Sequence, residues 1–216
     1  MEQLQRLGEL MVGATPGAAG RDSRLVKYIR AGDIREGGAV AAPGDGPEPT
    51  RGREARLAAG DVVVRGRGIP VAAAIGAAAE GAYATNDVLM FRPDCSRADA
   101  GYLTTVLNLP RARETLSAGS QGAALSRLSV QTLGSIEIPL PPLETQRKIA
   151  AVAECMEDEQ RILERLRELR RQLNQQILQR LLGNAHDEGG HPRRGSHQAD
   201  RPEGRSASPH LKARNT

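Results

Sequence analysis

The sequence predicts an α+β fold: a small strand-rich domain followed by one long helix. Three observations carry it. Short aliphatic runs, each broken by Gly, Pro or Asp, fill residues 1–142. A stretch free of Gly and Pro, Leu143 to Leu182, comes next, with apolar residues at steps of three, four or seven. The remainder, Gly183 to Thr216, is rich in Gly, Pro, Ser, Arg and His and has no apolar periodicity, so it reads as a disordered tail.

Within the first region, Val62-Val63-Val64, Val71 to Ile75, Val88 to Phe91 and Ile136 to Ile138 read as strands, because short apolar runs bounded by turn residues fit a sheet better than a helix. Leu4–Val12 and Leu25–Arg30 read as strands as well. Ala98–Leu107 and Pro110–Leu116 read as short helices. Ala42 to Arg56, a mixture of Pro, Gly and charge without a core pattern, reads as an exposed loop. Gly32-Asp33 and Gly60-Asp61 sit before apolar runs, where Gly and Asp favour turns. With no Trp, one Phe and three Tyr, the core must be built from Leu, Ile, Val and Ala.

The long stretch begins after Pro139-Leu140-Pro141-Pro142, which denies helix to the preceding residues. Its apolar seam is Ile149, Val152, Met156, Leu163, Leu166, Leu173, Ile177 and Leu181. Acidic residues come early (Glu144, Glu154, Glu157, Asp158, Glu159) and basic ones late (Arg165, Arg167, Arg170, Arg171, Arg180). That order suits the helix dipole and also suits antiparallel pairing of two copies. At 1.5 Å per residue such a helix is a rod of roughly 60 Å. A narrow seam on a rod is not stable alone in water and calls for a partner helix. Gly183-Asn184 reads as the C-cap.

Composition excludes more than it selects. A net charge of +4 and a pI near 9.5 fit a polyanionic partner. Cys95 and Cys155 lie far apart and form neither a disulfide framework nor a metal knuckle. No apolar stretch has the length of a signal peptide or membrane span, so a soluble cytoplasmic protein is expected. All four histidines (His186, His191, His197, His210) fall in the tail. The folded part therefore lacks the residue on which Ser–His, Cys–His and most metal chemistry depend. No phosphate-binding loop or nucleophile elbow is present, and Pro141-Pro142, flanked by Leu140 and Leu143, does not match the catalytic element of an amino-methyltransferase. No catalytic residue, metal ligand or cofactor of its own is expected.

Several motifs then align with one family. They are Leu7-Gly8-Glu9-Leu10, Tyr28 to Ile34, Leu57 to Val64, Ala84 to Leu89, Gly101-Tyr102-Leu103, Gly119-Ser120-Gln121-Gly122 before Leu128-Ser129, and Ile136 to Ile149. The last is the most specific: a strand, a Pro-rich turn, then Glu144-x-Gln146-x-x-Ile149 opening the long helix. Over about residues 7–182 the chain resembles the target-recognition half of type I restriction–modification specificity subunits. The resemblance implies a non-catalytic protein with three parts: residues 1–142 as a DNA target-recognition domain, 143–182 as a dimerisation or spacer helix, and 183–216 as the tail. It implies double-stranded DNA, a methyltransferase subunit and a restriction subunit as partners, the methyltransferase using S-adenosylmethionine. Family subunits carry two recognition domains and two helices, and this chain has one of each, so a homodimer, a half-subunit or a truncated fragment are the readings. A coiled-coil scaffold without a DNA role is the alternative from another class.

For DNA contact the loops are favoured. Arg65 and Arg67, between glycines, can approach guanine edges, and Gln121 in its Gly-rich turn can read adenine. Ser126, Arg127, Lys27 and Arg30 are candidates for phosphate.

Overall fold

The computed structural model describes residues 1–19, 23–118 and 127–187, with side chains through residue 182. The chain divides into two compact units, Met1–Glu164 and Arg165–Thr216.

The first unit is organised by a four-stranded antiparallel sheet. Its order is β2 (Gly8–Val12), β10 (Val88–Pro93), β7 (Val62–Arg65), β8 (Ala72–Ala74). The two central strands carry unbroken apolar runs because both faces of the sheet are covered. Val62, Val64, Leu89 and Phe91 enter one core with Leu4, Leu7, Tyr102, Leu103, Leu107 and Leu133. Val63, Val88 and Met90 enter another with Tyr28, Ile29, Ile34, Leu57, Val71 and Ile75. Alternation of side chains across the pleat separates the two sets.

The first core is closed by α1 (Ala100–Asn108), α2 (Pro110–Ala118) and α3 (Val130–Gly134). The Asp99 carboxylate caps α1 by accepting from the Tyr102 amide at 3.0 Å, and the Ser129 hydroxyl caps α3 by accepting from Thr132 N at 2.9 Å. At the far end of α1 the Asn108 amide grips the edge strand. It donates to Ala72 O at 2.8 Å and accepts from Ala72 N at 2.9 Å, satisfying backbone groups that an edge leaves open.

The second core is closed by a three-stranded sheet, β5 (Gly44–Pro47), β4 (Leu25–Ile29), β9 (Tyr83–Ala84), the last pair being parallel. Two short pairs complete the unit: β3 (Thr15–Pro16) with β6 (Pro49–Arg51), and β1 (Glu2–Gln3) with β11 (Glu137–Ile138).

Three expectations are corrected. Ala42 to Arg56 is not an exposed loop: it supplies β5 and β6, and Ala55 is fully buried. Gly46 is needed there because the Tyr28 ring of β4 lies across it: a Cβ would come within 2.7 Å of Tyr28 Cδ2, whereas at Gly44 a Cβ would meet only the movable end of the Arg30 side chain. Tyr28 completes the arrangement by donating its hydroxyl to Pro47 O at 2.7 Å. Leu4–Val12 is a strand only from Gly8. Leu4–Arg6 form a 3-10 turn, which eclipses residues three apart and puts Leu4 and Leu7 into the same core. Third, Gly183-Asn184 does not stop the helix: α4 runs Leu143–Asp187. A single glycine costs a helix about 1 kcal/mol and does not break it.

The start of α4 is fixed to the first unit by a buried amide. Gln146, fully buried, accepts from Asp99 N at 2.9 Å and donates to Arg97 O at 3.0 Å and Pro141 O at 2.8 Å. Tyr102 donates its hydroxyl to Pro139 O at 2.7 Å, and burial pushes that phenol above its ordinary pKa. Four residues along from Gln146, Ala150 meets α1 so closely that a Cβ on Gly101 would stand 3.0 Å from the Ala150 methyl. The inner face of the helix is thus Leu143, Gln146, Ala150, Ala153 and Glu157, the residues least exposed there. Burial raises the Glu157 pKa, with Arg161 opposing. At 100° per residue, Ile149, Val152 and Met156 fall on a neighbouring flank, about 80–140° round the helix from that face.

Candidate nucleic-acid interface

One end of the four-stranded sheet gathers three segments distant in sequence. The hairpin loop Gly66–Pro70 joins β7 to β8, the turn Thr85–Asp87 joins β9 to β10, and Arg127 follows α2 after the eight residues outside the described set. Main-chain bonds tie them together. Gly66 N donates to Asp87 O at 2.9 Å, Leu128 N donates to Gly66 O at 2.9 Å, and Val88 N closes the turn on Thr85 O at 2.8 Å. Gly66 is required there, since a Cβ would meet Asp87 O at 2.7 Å, and Gly68 takes a φ of +74°, which disfavours a side chain.

Arg67 and Arg127 stand opposite each other in an antiparallel bridge. Among the described residues Arg67 has no side-chain hydrogen bond or ion pair, and it is exposed. Arg127, also exposed, donates from Nη2 to Asn86 O. The acid of the cluster, Asp87, is engaged by the Thr85 hydroxyl, which also donates to Ile29 O at 3.2 Å.

The other sequence candidates sit differently. Arg65 is turned inward: its guanidinium donates to Ala31 O at 3.2 Å and to Ile34 O, bracing the 3-10 turn Ala31–Asp33. Lys27 is exposed on β4 and forms an ion pair with Asp45 at 2.9 Å. Arg30, exposed just beyond β4, donates to Asp45 O at 2.9 Å, and its amide is held by Asp33 at 2.8 Å. Gln121 and Ser126 lie outside the described residues.

On α4 every residue of the expected seam is exposed. In the first unit Ile149 is 39% exposed, and Val152, Met156 and Leu163 are exposed as well. In the second unit the same holds for Leu166, Leu173, Ile177 and Leu181. Sequence reasoning missed Ile162, Leu169, Leu178 and Leu182, which are exposed too. They widen the apolar ridge, and a count of all apolar positions rather than of one heptad line finds them. It also missed the ion pair of Asp61 with Arg92. Among the described residues no group of His, Cys, Asp and Glu is arranged to hold a metal, and no helix is long and apolar enough to cross a membrane.

The chain is similar to a structure of 21% identity and TM-score 0.64 that bears on complex assembly and conformational transition of the type I R-M system. It is similar to the HsdS subunit from Thermoanaerobacter tengcongensis at 21% identity and TM-score 0.61. Each likeness covers 93% of this chain and 50% of the other, so the chain spans about half the length of these structures. No curated protein matches by sequence. A family model described as "Type I restriction modification DNA specificity domain" matches residues 53–182, more than half of the chain, from just after β6 to the last residue of the apolar ridge. The chain belongs to the family of type I restriction modification DNA specificity domains.

Proposed function

We propose that this chain is a non-catalytic DNA reader that brings a methyltransferase subunit and a restriction subunit of a type I system to a DNA site. Residues 1–142 read the duplex, and 143–182 pair with a second long helix and set the spacing between two half-sites. Catalysis and S-adenosylmethionine belong to the partner methyltransferase.

The observation that carries this reading is the Arg67–Arg127 bridge. Like charges directly opposite across a ladder are destabilising, so a fold that keeps two arginines there has a use for them. A polyanion that neutralises both turns the repulsion into binding energy. Arg67, beside a positive-φ glycine, suits a guanine edge, and Arg127 suits a phosphate. Gln121 and Ser126 precede Arg127 in the same stretch of chain and are assigned to a base edge and a phosphate. Lys27 and Arg30 extend the phosphate track, while Arg65 serves as a brace.

Two results are expected. Arg67→Ala or Gln121→Ala loses roughly 1–3 kcal/mol of discrimination per base contact, measured by competition between matched and mismatched duplexes. The affinity of the full chain for duplex falls steeply with salt, and Arg127→Ala lowers the slope by about one. A chain that binds no duplex at any salt concentration leaves the scaffold or the truncated-fragment reading.

The helix ridge is assigned to a second copy of this chain. Support comes from the run of exposed aliphatic residues and from the acidic start and basic end of the helix, which complement each other in antiparallel order. Burying one Leu contributes about 1.5–3 kcal/mol, so Leu166→Glu with Leu173→Glu raises the dimer Kd by about a hundredfold or more. Light scattering on the full chain measures it, and an unaltered dimer refutes this assignment.

A further inference from the structure

We propose that Asn86 is an adenine-reading residue, so that the site recognised by this end of the sheet includes an A·T pair. The proposal rests on the DNA-reading function above and names the base chemistry it selects.

Asn86 stands at the tip of the turn joining β9 to β10, exposed, with main-chain groups held on every side. Its own carbonyl accepts the Arg127 guanidinium. The residue before it, Thr85, closes the turn by accepting from Val88 N at 2.8 Å. The residue after it, Asp87, accepts from Gly66 N at 2.9 Å. Among the described residues its side-chain amide has no hydrogen-bond partner. The turn is thus rigid while its amide is free, the combination that reading a base edge requires, since little order is lost on contact.

An asparagine amide offers one acceptor and a pair of donors in a plane, which match N6 and N7 of adenine. Asn108 shows the same bidentate grip inside this fold, with Ala72 N and O as its counterparts at 2.9 and 2.8 Å. The neighbouring loop adds an apolar group. Ile69, between Gly68 and Pro70, is 60% exposed at the same end of the sheet. An aliphatic side chain there matches the C5-methyl of thymine, the other distinguishing feature of an A·T pair in the major groove. Arg127, which donates to the Asn86 carbonyl, is the phosphate contact that would bring these readers to the groove, and Arg67 keeps its guanine edge.

The test is selection from a library of fully randomised duplexes by the full chain, with Asn86→Ala and Asn86→Asp in parallel. The wild type is expected to recover a motif with a fixed A·T pair that Asn86→Ala relaxes by roughly 5- to 150-fold. Asn86→Asp, which can only accept, is expected to shift that position toward cytosine, whose N4 donates. Uracil in place of thymine at the position weakens the wild type and leaves Ile69→Ala indifferent. Both Asn86 variants keep the wild-type unfolding midpoint. An Asn86→Ala motif identical to the wild type at every position, with duplex binding intact, overturns this proposal and leaves the DNA-reading function standing. Failure of the wild type to bind any duplex overturns both.

Discussion

Arg92→Ala is expected to cost about 3–5 kcal/mol of stability, because it strands a carboxylate that has almost no access to water. Asp61 is 1% exposed. Its two oxygens receive Arg92 Nε at 2.8 Å and Nη2 at 2.7 Å, and Oδ2 also accepts from Ala58 N at 2.8 Å. The pairing holds the guanidinium above its ordinary pKa, and a further Arg92 bond reaches Arg56 O at 3.0 Å. Asp61 stands just before β7 and Arg92 on β10, one step beyond the Phe91–Val62 pair, so the ion pair ties the two central strands at their rim. Removing the cation leaves the acid with one amide donor, whereas removing the acid leaves an arginine that is still 39% exposed in its side chain and can reach solvent. Asp61→Asn, which keeps an acceptor for Ala58 N, is therefore the milder change. At about 2–4 °C per kcal/mol for a chain of this size, Arg92→Ala lowers the melting temperature by about 6–20 °C. The check is a double-mutant cycle: an Arg92→Ala cost that is the same in the Asp61→Asn background shows that the two side chains are uncoupled.

Gln146→Glu is the second large effect, and its isosteric shape isolates hydrogen-bond polarity from packing. The amide nitrogen donates to two carbonyls, those of Arg97 and Pro141, in a site closed to solvent. A carboxylate can only accept, so both carbonyls lose their donor and face a buried charge. The expected loss is about 3 kcal/mol or more. Protonation restores one donor, so the deficit shrinks as pH falls and grows as pH rises through the raised carboxyl pKa of the variant. Gln146→Leu leaves Asp99 N, Arg97 O and Pro141 O unsatisfied together and is expected to cost a similar amount at every pH. Urea unfolding at two pH values distinguishes them: equal, pH-independent losses would show that polarity at this position is irrelevant.

How far the fold could be read from the sequence follows from which signals are local. Val62–Val64 and Val88–Phe91 were legible as strands because a sheet covered on both faces leaves an uninterrupted apolar run. The long helix was legible because nothing in Leu143–Leu182 competes with helix. Ala42–Arg56 was illegible because what makes it a strand belongs to its neighbour: Tyr28 occupies the space above Gly46. Composition reports only the vacancy. Within the candidate interface, Arg67 and Arg127 were legible singly, as arginines in Gly-rich or polar stretches, but their meeting across a bridge is a product of tertiary structure. Arg65 had the same local signature as Arg67 and a different fate, because only one of the two faces the turn at Ala31–Ile34. Gln146 was noticed as part of a motif, and its reason appears only when Asp99, Arg97 and Pro141 converge on it.

The sheet end that bears Arg67, Asn86 and Arg127 is knitted by amide-to-carbonyl bonds, and its side chains contribute little to the cores behind it. Exchanges among polar residues on such a frame fall within about 0.5 kcal/mol of neutral for folding. The scaffold can therefore be re-addressed: new recognition can arise by single substitutions at the rim without any compensating change in the interior. Gly66 is the exception, since its backbone lies against Asp87 and any replacement would pry the two loops apart.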